Sequence, residues 1–171
     1  MNGATLTADR NGNTSSAYSF DGVNDYIMVN HDIISGNASR TVSVWIKDEM
    51  PAGQHSIIYQ FGSQEAGGGG YSPGGNFAIT RDNSKQFHHN GHDIGDLPSG
   101  VISQGEWRQH TLTYDGTTLK YYIDGVLRNS ANAALNTWDG KLHIAKNRHA
   151  NQFFTGKVDE MRVYNYVLSA A

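Results

Sequence analysis

The densest group of metal-ligating side chains in the sequence is Phe87-His88-His89-Asn90-Gly91-His92-Asp93. His88 and His92 have the i, i+4 spacing that sets two imidazoles on one helix face. Asn90-Gly91 between them is a turn signal, however, and no His-Glu-x-x-His pattern is present. Two readings stand: ligand-contacting or solvated imidazoles at a hairpin tip, or a transition-metal site. The acids offer no catalytic pair. Retaining glycosidases need two carboxylates about 5–5.5 Å apart. None of Glu49, Glu65, Glu106 and Glu160 has an acid two, four or five positions later. Asp48-Glu49 and Asp159-Glu160 are adjacent, and neighbours on a strand point to opposite faces. There is no Gly-x-Ser-x-Gly elbow and no cysteine, which excludes a thiolate nucleophile, a thiolate zinc site and a disulfide framework. No catalytic signature results.

The remaining polar and aromatic groups suit binding. Sugar sites on β-sandwiches use aromatic rings against apolar sugar faces, with amides, acids and Arg bonding the hydroxyls. Candidates for such contacts are Tyr71, Asn76, His88, His89, His92, Asp93, Trp138, Asn147, Arg148 and His149, with Asn151 and Gln152 beside them. The 146–152 stretch is expected to form one rim with the loops at 62–75 and 88–93. Arg148 would contact a hydroxyl or an acidic sugar there. Trp138 reads equally as a cap on the sandwich edge, and Trp45 and Trp107 read as core or groove floor.

These groups must be positioned by strands. Asp21-Gly22, Asn90-Gly91, Asp115-Gly116, Asp124-Gly125 and Asp139-Gly140 are turn dipeptides that space short β-rich runs. Strands are expected at 17–20, 25–30, 41–47, 56–61, 76–81, 85–89, 107–114, 119–123, 126–128, 141–145 and 156–164. Val42, Val44 and Ile46 alternate with Ser43, Trp45 and Lys47, so one face enters a core and the other faces out or lines a groove. The stretch 62–75, with four consecutive glycines, reads as a long irregular loop, either functional or a tolerated insertion. The stretch 90–104 reads as a polar connector.

Composition agrees. Gly supplies 20 of 171 residues, charged residues only 17%, and aromatics 11%. That excludes a helical bundle and argues against disorder. A net charge of −3 with no Lys/Arg cluster argues against nucleic acid as a partner, and no apolar run approaches the length of a membrane span. The chain begins without a basic, apolar leader. One domain over residues 1–171 is expected.

Three ordered segments carry a family resemblance: Ser19-Phe20-Asp21-Gly22-Val23-Asn24-Asp25-Tyr26, then Trp107 followed by Tyr114-Asp115-Gly116 and Tyr122-Ile123-Asp124-Gly125, then Gly156-Lys157-Val158-Asp159-Glu160-Met161-Arg162-Val163-Tyr164. Together they resemble the laminin-G-like family of the concanavalin A-like superfamily, common in bacterial extracellular proteins. One departure is Ala145-Lys146, where the family usually has Ile-Gly. The resemblance implies an all-β jelly-roll sandwich of two antiparallel sheets with its terminal strands paired. It also implies a structural calcium. Asp21, Asn24 and Asp159 are an oxygen-only set suited to Ca²⁺, and a carboxylate near a core needs a cation or a partner. The other reading has Asp21 as a turn residue and Asp159 paired with an arginine.

The function so implied is a calcium-stabilised, non-catalytic carbohydrate-binding or adhesion module of a larger extracellular or cell-surface protein. Its partners would be a glycan or cell-surface polysaccharide and other domains of the parent chain. A protein-binding spacer of the same fold, and a glycoside hydrolase or lyase with an unrecognised site, are the alternatives. Fold membership alone does not separate them.

Overall fold

The computed structural model describes residues 1–62, 65–66, 70–71, 74–84, 86–89, 97–101, 103–138, 140–147 and 151–169. Alternation of apolar and polar residues, with β-branched and aromatic side chains in quantity, makes strands of nearly every regular stretch. One sheet has seven strands in the order β1 (Thr5–Thr7), β2 (Ala17–Asp21), β15 (Thr155–Tyr164), β4 (Arg40–Asp48), β11 (Trp107–Tyr114), β12 (Thr118–Ile123) and β13 (Val126–Asn132). The other has six, in the order β10 (Leu97–Val101), β9 (Gln86–His89), β8 (Asn76–Arg81), β5 (Ser56–Gly62), β14 (Leu142–Ile144) and β3 (Ile27–Val29). A two-stranded ribbon joins β6 (Glu65–Ala66) to β7 (Gly70–Tyr71). The large sheets are antiparallel throughout, as in a jelly-roll sandwich.

The core lies between the sheets. Val42, Val44 and Ile46 of β4, Leu112 and Tyr114 of β11, and Leu119, Tyr121 and Ile123 of β12 pack against Tyr59, Phe61, Phe77, Ile79 and Leu142. Each such side chain contributes about 1.5–3 kcal/mol by leaving water. The expected alternation is therefore correct: the even residues of β4 face inward, and Ser43, Trp45 and Lys47 face out. At one end, Arg81 and Asp48 form a buried ion pair at 3.2 Å that ties β8 to β4 across the sandwich. The Arg81 guanidinium also donates to the carbonyl oxygens of Met50, Pro51 and Gln54, which offsets its desolvation.

Terminal strands meet as expected: Val158 stands opposite Tyr18 and Thr155 opposite Asp21. The Asp124-Gly125 turn has positive φ at both residues, 50° and 76°, as a two-residue hairpin of the primed type requires. The structure differs from expectation in three places. The 62–75 stretch contains the β6–β7 ribbon, and the 90–104 connector contains β10. A further strand, β1, precedes β2. It is short, largely exposed at Thr5 and Leu6, and without alternation in the sequence to mark it.

Candidate functional site

One end of the six-stranded sheet gathers polar groups that have no partners among the described residues. Asn76 opens β8 and stands opposite Gly62, the last residue of β5. Phe77 enters the core, so Asn76 occupies the other face of the strand. It is fully buried, yet neither its Oδ1 nor its Nδ2 has a hydrogen-bond partner among the described residues. The indole Nε1 of the half-buried Trp138 is likewise buried and unpartnered. Native structures pair most buried polar atoms, so such a group points to water or a ligand.

Glycines make this convergence possible. Gly62 has φ +73°, and a Cβ there would lie 2.3 Å from the Gly75 carbonyl oxygen and 3.0 Å from that of Trp138. Only a glycine lets these three segments approach so closely. Asn136 N donates to Gly74 O at 3.0 Å, and Trp138 N to Gly75 O at 3.4 Å.

From the core side, Arg40 holds the same end. It is fully buried and donates to Thr137 Oγ1 at 2.9 Å and to the carbonyl oxygens of Ala38 and Gly36 at 2.7 Å each. Its guanidinium lies 5.6 Å from the Phe77 ring centre and 5.5 Å from that of Tyr114. Among the described residues no carboxylate pairs with it. Burial lowers its pKa to about 10. Phe77 follows Asn76 and Thr137 precedes Trp138, so Arg40 is a positioning residue for both. Its role is hidden in the sequence because its partners lie up to 97 residues away. A lone Arg beginning an apolar strand was the only signal.

Other candidate residues are distributed differently. His88 and His89 stand opposite Thr80 and Ile79 in the β8–β9 ladder, and β9 runs toward the Asn76 end. Tyr71 pairs with Glu65 in the β6–β7 ribbon. His92, Asp93, Arg148 and His149 lie outside the described residues. Asn147 donates from Nδ2 to Gln152 Oε1 at 2.8 Å, and its N–H bonds Gln152 O at 3.0 Å. This corrects the expected single rim. Strand β14 pairs Leu142 with Phe61 and Ile144 with Tyr59, and carries the chain away from the Trp138 end. Ala145 bonds Ile58 O, four residues from Gly62 along β5 and so about 13 Å distant. The ends of the 146–152 stretch therefore sit at the opposite end of the sheet. Trp45 and Trp107 are not core: they stand opposite Gln109 and Lys47 on the outer face of the seven-stranded sheet.

The oxygen set for calcium does not converge. Asp159 lies four positions beyond Thr155, the partner of Asp21, which separates the two carboxylates by about 13 Å along the ladder. Asp21 Oδ1 accepts from the N–H groups of Val23 and Asn24 at 2.8 and 3.4 Å, and these bonds hold its pKa below the usual carboxylate value. Asp159 Oδ2 is bonded by Arg10 Nη1 at 2.9 Å, and Arg10 Nη2 reaches Glu160 Oε2 at 3.1 Å. Arg10 also lies 4.6 Å from the Trp45 ring centre. One guanidinium serves two adjacent acids because β15 bulges there, with Glu160 at φ +44° and the register against β4 shifting between Asp159 and Arg162. That also corrects the expectation of opposite faces for this pair. Asp21, Asn24 and Asp159 thus do not fit one Ca²⁺. Among the described residues, no group of three or more His, Asp or Glu is placed to hold a metal ion.

Residues 21–171 match the Laminin_G_3 family, described as the Concanavalin A-like lectin/glucanases superfamily. The chain belongs to this superfamily. No curated protein matches it as a relative. Among solved structures, domain 4 of AbnA, a GH43 extracellular arabinanase from Geobacillus stearothermophilus in complex with arabinotriose, superposes with a TM-score of 0.65 at 18% identity, covering 98% of this chain and 84% of that one. The heptameric SAP-like pentraxin from Limulus polyphemus gives 0.66 at 12% identity, covering 89% and 76%. Trypanosoma rangeli sialidase gives 0.68 at 18% identity over 98% of this chain, which spans 28% of the sialidase chain. At these identities the likeness is one of fold. Concanavalin A-like domains include lectins and glucanases alike, so the residues of this chain must decide what it does.

Proposed function

We propose that the chain is a non-catalytic carbohydrate-binding or adhesion module of a larger extracellular protein, and that its ligand enters at the Asn76–Trp138 end of the six-stranded sheet. One observation carries this reading: a fully buried amide and a buried indole N–H, both without partners among the described residues, at one end of a sheet. A polyhydroxylated ligand supplies the alternating donors and acceptors these groups lack, and the part-exposed Trp138 ring offers an apolar face for a sugar. The arabinanase domain solved with arabinotriose supports the reading, because there the same fold accompanies an oligosaccharide. Several of the described acids support a non-catalytic role by sitting in ion pairs: Asp159 and Glu160 share Arg10, Asp48 pairs with Arg81, and Glu106 and Asp124 share Arg108. The calcium expected from the family would need ligands other than Asp21, Asn24 and Asp159.

The test is a glycan array probed with the chain and with Trp138→Ala, beside a reducing-sugar release assay on the polysaccharides that bind. Binding lost in the variant, with no sugar released, is the expected outcome. Broad silence on the array would move the chain to the protein-binding spacer class, and sugar release would make it an enzyme.

A further inference from the structure

The outer face of the seven-stranded sheet carries cations on both sides of an uncharged floor. The whole sequence has a net charge of −3. On this face Arg10, Lys47, Lys157, Arg162 and Lys120 are interspersed with Asp21, Glu49, Asp159 and Glu160, and Lys120 lies near enough to Asp115 to favour its charged form. Lys157 stands directly opposite Lys47 in the β15–β4 ladder, a like-charge pair that destabilises a sheet unless an anion bridges it. Glu49 does so in part, at 3.6 and 4.0 Å. The acids near the far edge are occupied. Asp115 accepts from the N–H groups of Thr117 and Thr118, and Asp124 is bonded to Arg108.

Between these cations lies a neutral hollow of about 250 Å³, lined by Ser43, Gln109, Thr111, Thr113 and Tyr122 and walled by Leu168 and Ser169. Adjacent strands supply its floor in register. Thr111 stands opposite both Ser43 and Tyr122, and Thr113 opposite Lys120. Ser43 Oγ accepts from Gln109 Nε2 at 3.3 Å and Thr111 Oγ1 at 3.2 Å, which leaves its own hydroxyl proton to donate outward. Arg162, opposite Ser43, has a side chain 60% exposed, and its ion pair with Glu160 is long at 3.6 Å because Arg10 holds that carboxylate more closely.

We infer that this face is a second binding site, independent of the Asn76–Trp138 end, and that it takes an acidic polysaccharide. One sugar ring sits in the hydroxyl-lined hollow against Tyr122. The carboxylates of the chain pair with Arg162 on one side and Lys120 on the other. The small volume suits a single ring, and the neutral floor between two cations suits a hydroxylated ring with charge at its periphery. A module with sites on both sheets can bridge two polymers.

The probe is polygalacturonate, titrated at about 10 mM and about 150 mM salt into the wild-type chain, Lys120→Gln/Arg162→Gln, Thr111→Val and Trp138→Ala. Polyglutamate serves as the polyanion without sugar rings. The expected result is polygalacturonate binding that weakens with salt. The double variant weakens it at least tenfold, Thr111→Val weakens it several-fold, and Trp138→Ala leaves it unchanged. The Lys120, Arg162 and Thr111 variants alter exposed or near-isosteric groups, Trp138→Ala removes a half-buried ring, and each is checked for an unchanged melt before titration. Equal binding of polyglutamate, or no loss in the double variant, overturns the inference. Loss of binding in Trp138→Ala would show that one site, not two, is present.

Discussion

Replacing Asn76 by alanine separates binding from folding. In the folded chain the Asn76 amide is fully buried, with both polar atoms unpaired among the described residues. A buried polar group left without partners costs about 1–3 kcal/mol. Alanine removes that cost and keeps the backbone ladder to Gly62. It gives up only the modest packing of a short side chain. A net gain of about 1–2 kcal/mol is therefore expected. In a chain of this size 1 kcal/mol moves Tm by about 2–4 °C, so Asn76→Ala should melt about 2–8 °C above the wild type. Its binding to any glycan that the wild type retains should fall at least tenfold, because the hydrogen bonds to ligand hydroxyls go with the amide. Thermal melts by circular dichroism and calorimetric titration read the two effects separately. A lower Tm in Asn76→Ala would refute the reasoning, since it would mean the amide holds the fold together rather than waiting for a ligand.

Other substitutions test the same physics elsewhere. Tyr59→Phe removes a fully buried hydroxyl that has no partner among the described residues, and should raise Tm by a few degrees with binding unchanged; a fall would mean the hydroxyl is bonded. His110 is buried against the Tyr121 hydroxyl at 2.7 Å, and burial pushes its pKa down to about 3. The unfolded chain binds that proton more readily. The stability His110 contributes is therefore complete above about pH 6.5 and is lost as pH falls toward 3, by at most about 1.4 kcal/mol per pH unit. His110→Gln should flatten the melting curve against pH across that window, and an unchanged slope would show that other groups set it. Arg10→Ala should lower Tm by leaving Asp159 without its cation beside Glu160, which keeps only the longer contact to Arg162. Arg10→Lys should recover only part of the loss, because an ammonium cannot fork between two carboxylates or lie flat on Trp45. A full rescue by lysine would argue for charge alone.

The sandwich was legible because alternation is a local signal. Val42, Val44 and Ile46 announce the inner face of β4 without reference to any other strand. The Asp124-Gly125 turn is likewise written in two adjacent residues. What local pattern does not carry is pairing over long separations. Arg10 meets Asp159 across 149 positions, so a set of three oxygens read as a calcium site while the cation was already present as a guanidinium. Arg40 and Thr137 meet across 97 positions, and the polar end they support could not be seen from either. The placement of Asn147 failed for a topological reason: the three-residue β14 reverses which end of the sheet a polar loop occupies. The amide chemistry of Asn76 is plain from its residue type. The property that distinguishes it, burial without a partner, is visible only in three dimensions.

The proposed role of the Trp138 indole N–H as a ligand donor has a direct spectroscopic readout. The chain has three tryptophans, hence three indole N–H resonances in a nitrogen–proton correlation spectrum. Adding the oligosaccharide that the array selects should shift the resonance lost in Trp138→Ala, while those of Trp45 and Trp107 on the opposite sheet stay in place. A saturating titration in which the Trp138 resonance does not move would contradict it.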